Sequence, residues 1–387
     1  MKKIIAVVTA LLLFRQVHYL PVLDVHSAEK PDVSAKACVL ISADTGEIIY
    51  SVDCNQKLPM ASTTKIMTTL LCLESGNLDE QFVVDSDAIK VEGSSMGLQE
   101  GDIVTKYALC CGMLLPSGND AANATAVKIS GSIEEFAELM NERAEELGLS
   151  RTFFVTPSGL EGEGHGSSAY DMAILAREAL KIEAFREICS SESIKLEFGN
   201  PPFTRWLKNT NKLLSMDDGV YGVKTGFTDE AGRCLVSACE RDGMNLICVT
   251  LNDGNDWNDH LAIYDYGFEN VKRVSAEIPE DMELELVGAE NDKIAVTIGD
   301  GSVDITTLEG NPDSFDYRII SSPFVYAPVL AGDELAQLEI SLNGREVRRV
   351  PIYAAEDVPI KVIEENKEND DSNLLKKIVK KLKKIFS

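Results

Sequence analysis

The stretch from Lys65 to Leu73 constrains this chain more than any other, because it is apolar on nearly every face of a helix. A surface helix keeps a polar stripe for water, so a run without one belongs in the middle of a domain, enclosed by other elements. Gly76 follows close behind and supplies a stop. With 387 residues, 44% of them hydrophobic, the chain is long enough for two such cores.

Around that helix, strands and helices are predicted in a definite order. Ala37 to Ser42 and Glu47 to Ser51 are β-prone runs parted by Asp44, Thr45 and Gly46, which predicts a hairpin. A second helix starts after Asn119, a third runs through Ile133, Phe136, Ala137, Met140, Ala144 and Leu147 to Gly148, and a fourth covers Tyr170 to Ile182. Val220 to Val223 reads as a strand, and Arg233 to Glu240 with Met244 to Leu251 forms a second hairpin around Arg241, Asp242 and Gly243. Strands at both ends with helices between them predict an α/β domain over residues 29–270. Over 271–363 the pattern turns to period two, as in Met282, Leu284 and Leu286, then Ile294, Val296 and Ile298, then the runs on either side of Asn343 and Gly344. This predicts a small all-β sandwich, a spacer or partner module without a catalytic motif.

The two ends have characters of their own. Lys2 and Lys3 precede an apolar run from Ile4 to Phe14, too short to span a bilayer, so residues 1–28 read as an export signal cleaved near Ser27 or Ala28. After a charged linker over 364–372, residues 373–387 put Leu374, Leu375, Ile378, Val379, Leu382, Ile385 and Phe386 on one helical face. Six lysines from Lys376 to Lys384 fill the other. That is the profile of an amphipathic helix lying on an anionic membrane surface. The formal charge of -26 makes the rest of the chain strongly acidic, so membrane contact falls to the lysine helix, and a nucleic-acid partner is excluded. The expected location is outside the cytoplasm, at the outer face of the cytoplasmic membrane.

Nine cysteines, an odd number without a CxxC pair, sit mostly in apolar stretches and read as small buried hydrophobes. Of four histidines, His18 and His26 lie in or beside the leader; His165 and His260 remain, without HExxH spacing. Neither a zinc site nor another cofactor is expected.

Three short motifs carry the chemistry: Ser62-Thr63-Thr64-Lys65, Ser117-Gly118-Asn119 and Lys224-Thr225-Gly226. Each alone is weak, and Ser27 to Lys30 repeats the first by chance; order and context give them force. Ser62 alone would pass for a helix cap. Three residues apart at a helix start, however, Ser62 and Lys65 project from one face, where the amine can deprotonate the hydroxyl. A lysine is a base at neutral pH only if burial and a second cation depress it, and Lys224 is the candidate for that cation. The helix N-terminus aims N–H groups at a developing oxyanion. Ser117, on a tight turn, can relay a proton, and Asn119 can hold a substrate amide. A glycine in the strand leading into the third motif marks close approach by another backbone, here a substrate peptide adding along the sheet edge, where Lys224 and Thr225 offer a cation and a hydroxyl to a terminal carboxylate.

In this order the motifs resemble those of the penicillin-recognising serine enzymes, in particular the low-molecular-mass penicillin-binding proteins that are D-alanyl-D-alanine carboxypeptidases. The likeness covers nearly the whole chain, including Thr156 to Leu160 and His165 to Ala173. It implies a β-lactamase/transpeptidase-like catalytic domain, an antiparallel sheet flanked by helices with a helical subdomain. It also implies a two-step reaction: Ser62 is acylated by a peptidoglycan stem peptide with loss of D-alanine, and water then frees the enzyme. β-Lactam antibiotics would acylate the same serine. By position, Phe227 would add a second oxyanion N–H. His260 stands where some members carry an arginine for the terminal carboxylate, so it is expected among the substrate-binding residues.

Three rivals remain. A class A β-lactamase shares the motifs but has an ExxLN-like element, which is missing at the expected place, and has neither β-domain nor anchor. A D,D-endopeptidase or transpeptidase would use the same site on cross-bridges. A wall-binding scaffold that had lost activity would not need Ser62, Lys65, Asn119 and Lys224 intact.

Overall fold

A computed structural model describes residues 29–160, 162–278, 282–298, 302–308, 315–342, 344–361 and 376–381. The export signal and the charged linker lie outside the described residues, as does most of the C-terminal helix.

The N-terminal half contains β1 (Ala37–Ser42), β2 (Ile48–Val52), α1 (Lys65–Glu74), β3 (Gln81–Val83), β4 (Ile103–Thr105), α2 (Lys106–Leu114), α3 (Asn119–Ser130) and α4 (Ile133–Glu146). It continues through α5 (Ala169–Ala179), α6 (Glu183–Ser190), β5 (Ser193–Gly199), β6 (Pro202–Lys208), β7 (Val220–Thr228), β8 (Gly232–Arg241), β9 (Met244–Leu251) and α7 (Asp256–Asn270). Its five-stranded sheet runs in the order β2-β1-β9-β8-β7 with antiparallel neighbours, which leaves β7 as an edge strand.

Every residue of α1 from Lys65 to Leu73 is buried, as its missing polar stripe requires. It packs against α2, α3 and α5, so one large core fills the space between the sheet and the helices. A second core lies on the opposite sheet face, where Leu235, Cys239 and Cys248 meet Ile263 and Tyr264 of α7. The motif-bearing elements are therefore clamped from both sides of β7 and β8. All nine cysteines are free and buried.

The β3–β4 pair, α2, α6, the β5–β6 hairpin and α7 all stand beyond the expected set. Helix α2 is buried on almost all of its residues and shows no apolar period. The β5–β6 hairpin presses Phe198 and Phe203 around Arg205, whose guanidinium carbon lies 4.1 and 4.2 Å from the two ring centres.

The C-terminal half is all β: β10 (Lys272–Glu277), β11 (Glu283–Val287), β12 (Lys293–Thr297), β13 (Ser302–Thr307), β14 (Phe315–Ser321), β15 (Val325–Tyr326), β16 (Glu334–Leu342) and β17 (Arg345–Ala354). The β10–β13 pair faces a six-stranded sheet in the order β14-β16-β17-β12-β11-β15 over its own apolar core. It is tied to the N-terminal half by Thr306, whose N–H donates to Asp44 and whose carbonyl accepts from Ser42 Oγ.

Candidate active site

A 3-10 turn over Ala61–Thr64 leads into α1, and Ser62 sits on it. Two non-glycine residues beside the site hold left-handed backbone, Ala61 at φ 47° and Ser117 at φ 64°. Such residues cost about 1–2 kcal/mol each and persist where surrounding packing imposes them. At Ala61 that packing is visible: Gly159, at φ +84°, lies so close that a Cβ there would stand 2.0 Å from the Ala61 carbonyl oxygen. Gly226 abuts the turn from the other side, with its virtual Cβ 3.1 Å from both Ser62 N and Met60 O. The third motif thus runs backbone to backbone past Ser62, and Phe227 follows at the rim.

Lys65 is fully buried. Its Nζ lies 2.9 Å from Ser62 Oγ, 2.7 Å from Asn119 Oδ1 and 2.6 Å from the Ser158 carbonyl. Burial, and then the charge of Lys224, hold its amine well below the ordinary lysine range. Two of the three contacts are acceptors only. A neutral amine has two hydrogens and one lone pair; with the hydrogens committed to Asn119 and Ser158, the lone pair is left for the Ser62 hydroxyl. Lys224, also buried, is pushed down to about 7 by desolvation, and its Nζ donates to the Thr225 carbonyl at 2.7 Å.

Asn119 has both ends of its amide engaged, Oδ1 with Lys65 and Nδ2 donating to the Glu92 carbonyl at 2.7 Å. Here it orients the Lys65 amine, a contact beyond the substrate contact expected from sequence. Next to it, buried Asp120 accepts from Ser95 Oγ and from the N–H groups of Met96, Gly97 and Leu98, which fixes the loop carrying Ser94.

A cavity of about 520 Å³ opens over these groups, lined by Ser62, Ser117, Thr225, Gly226 and Phe227 together with residues that no motif announced: Ser94, Thr210, Lys212, Arg233, Asp256 and Trp257. Thr210 Oγ1 lies 2.7 Å from Thr225 Oγ1.

His260 is not in this cavity, which corrects its expected place among the substrate-binding residues. Helix α7 lays it flat on the sheet, fully buried, with Nδ1 2.6 Å from Ser237 Oγ and Nε2 3.1 Å from Thr250 Oγ1. Burial pushes its pKa down to about 3. It is a core residue; the first turn of the same helix, at Asp256 and Trp257, is what reaches the pocket. His165, by contrast, braces the first motif: its Nε2 lies 2.9 Å from Thr64 Oγ1, and Val155 N–H donates to its Nδ1. Among the described residues, no group of three or more His, Cys, Asp or Glu is arranged to hold a metal.

The sequence profile of the D-alanyl-D-alanine carboxypeptidases matches residues 24–255. The chain belongs to that family. Residues 268–359 match the C-terminal domain of penicillin-binding protein 5. Relatives include D-alanyl-D-alanine carboxypeptidase DacF of Bacillus subtilis, 34% identical over 84% of this chain and 86% of the relative, and DacC of Escherichia coli, 31% identical over 86% of each. Among solved structures, penicillin-binding protein 5 of Haemophilus influenzae superposes with a TM-score of 0.62 at 25% identity, covering 86% of this chain and 99% of that one. The Streptomyces K15 DD-transpeptidase, 31% identical, covers 62% of this chain and 99% of its own, with a TM-score of 0.60. This carboxypeptidase is a serine hydrolase with a catalytic domain of sheet and helices and an all-β domain behind it.

Proposed function

We propose that this carboxypeptidase removes the terminal D-alanine from peptidoglycan stem peptides through an acyl-enzyme on Ser62. The observation that carries the assignment is the set of contacts at Lys65 Nζ, which leaves its lone pair for Ser62. As Ser62 Oγ attacks the carbonyl between the last two D-alanines, Lys65 takes its proton. The oxyanion is held by the N–H groups of Ser62 and Phe227, each such donor contributing about 3 kcal/mol. Collapse of the tetrahedral intermediate breaks the C–N bond; Ser117 passes the proton to the leaving amine, and D-alanine departs. Water then attacks the ester by the same route in reverse. A β-lactam would acylate Ser62 in the same way, but its leaving group stays tethered.

The test is release of D-alanine from a pentapeptide ending in D-Ala-D-Ala, with and without Ser62→Ala. Release by the unmutated protein alone is expected; equal release by the variant would reject the nucleophile.

Action takes place outside the cytoplasm, at the outer face of the cytoplasmic membrane. Supporting this are the export signal pattern over 1–28 and the lysine-faced amphipathic pattern over 373–387. Residues 376–381 are helical, with Ile378 and Val379 about half exposed. Among the described residues no helix is long and apolar enough to cross a membrane. Deleting the residues after Ser372 should move the protein from membrane to soluble fractions; unchanged co-sedimentation would reject the anchor.

A further inference from the structure

A cavity of about 790 Å³, larger than the one over Ser62, lies in the cleft between the two halves, and its charge runs against that of the whole chain. Five cations line it, Arg177, Lys181 and Arg186 from the N-terminal half and Arg348 and Arg349 from β17, against two carboxylates, Asp44 and Glu346. The chain as a whole carries -26. We propose that this cleft is a binding site for phosphodiester groups, separate from the catalytic pocket, and that its occupant ties the two halves together.

The cations converge from both sides and are held in place. Arg177 of α5 donates through Nε to the Ala43 carbonyl at 2.7 Å and through Nη2 to the carbonyls of Asp44 and Val347, so it joins the β1–β2 turn to β17. Arg186 of α6 stacks on Tyr221, its guanidinium carbon 4.4 Å from the ring centre. Lys181, Arg186, Arg348 and Arg349 are each about half exposed, so their heads meet solvent at the cleft.

Their acidic partners leave most of these donors unspent. Lys181 pairs with Glu178, Arg186 with Glu240, and Arg349 with Glu339 and Glu346; of these four carboxylates only Glu346 lines the cavity. Arg348 stands 3.5 Å from Asp44, whose other oxygen already accepts from the Thr306 N–H. A guanidinium has five N–H donors and an ammonium three, and half-exposed ion pairs contribute little and exchange readily. An anion can therefore enter without stranding a charge. Phosphate oxygens suit converging guanidinium forks, and a cavity of this size holds a short run of linked units rather than one ion. Two sources carry that group outside the cytoplasm, a soluble polymer and a lipid headgroup.

The test offers poly(glycerol phosphate) and phosphatidylglycerol vesicles to the full chain and to Arg186→Gln, Arg348→Gln and the double variant, which removes one guanidinium from each half. Calorimetric affinity for the polymer should fall about ten-fold for each guanidinium lost, the low end for charge-assisted hydrogen bonds, while Arg348→Lys should fall less. The polymer should raise the melting temperature of the parent more than that of the double variant. Weakened polymer binding with unchanged vesicle binding assigns the site to a soluble polymer; a matching loss on vesicles assigns it to headgroups. D-Alanine release should be unchanged in every variant, since neither arginine lines the catalytic cavity. No binding by the parent, undiminished binding by the double variant, equal affinity for poly(glutamate) of the same length, or the same melting shift from sodium chloride at matched ionic strength would overturn the assignment.

Discussion

Gly159→Ala is a demanding probe of how the nucleophile is held. The new Cβ would stand 2.0 Å from the Ala61 carbonyl oxygen, 2.5 Å from its carbon and 2.8 Å from Thr64 Oγ1. Ordinary contact needs roughly 3.4 Å, so the Ser62 turn has to retreat by about 1 Å or more. A displacement of that size costs about 100-fold in rate where catalysis depends on near-attack geometry. Stability should fall as well, by about 1–2 kcal/mol for alanine at φ +84° and about 1–3 kcal/mol for overpacking. Gly148→Ala separates the two effects, because Gly148 has φ +71° but nothing within 4 Å of its virtual Cβ; it should lose only the backbone contribution. The assay is D-alanine release at a temperature where thermal unfolding shows each variant folded. A folded Gly159→Ala protein active within about three-fold of its parent would refute the claim that this contact fixes Ser62.

Other outcomes follow from the electrostatics. Lys65 is held low by burial and by Lys224, so Lys224→Gln should raise its pKa and move the acidic limb of the kcat/KM profile to higher pH; an unmoved limb would show that the two amines are uncoupled. His260 has a folded pKa lowered to about 3 from 6.5. Between those values the unfolded chain binds a proton that the folded chain refuses, so stability should fall as pH drops through that window. His260→Gln should flatten this dependence in urea titrations. Arg205 pairs at 3.1 Å with Asp102, both nearly buried, so Arg205→Met should cost about 3–5 kcal/mol by stranding the carboxylate; a melting temperature unchanged within a degree would contradict that.

The parts of this molecule legible in its sequence are those encoded by local spacing. Ser62 and Lys65 meet because they are three apart at a helix start, and the fully buried α1 announced itself by its lack of a polar face. The β5–β6 hairpin was not among the expected elements, although Ile194, Leu196 and Phe198 alternate with Lys195 and Glu197. Other features depend on tertiary register. Arg233 reaches Asp256 across 23 residues only because β9 ends beside the start of β8, where Leu251 pairs with Cys234, and α7 follows β9; the contacts of Ser158 and Glu92 are made by backbone carbonyls, which any residue type would offer. His260 shows the converse error: a place in an alignment says nothing about which side of a helix packs on the sheet.

A neutral Lys65 activates Ser62, and the most direct measurement of that step is the rate of penicillin acylation followed by intact mass and peptide mapping. The unmutated protein should gain one penicillin on the peptide containing Ser62, and Lys65→Met should do so about 100- to 10,000-fold more slowly, the range for loss of a general base. Labelling of Lys65→Met at the parental rate, or labelling at a residue other than Ser62, would contradict it.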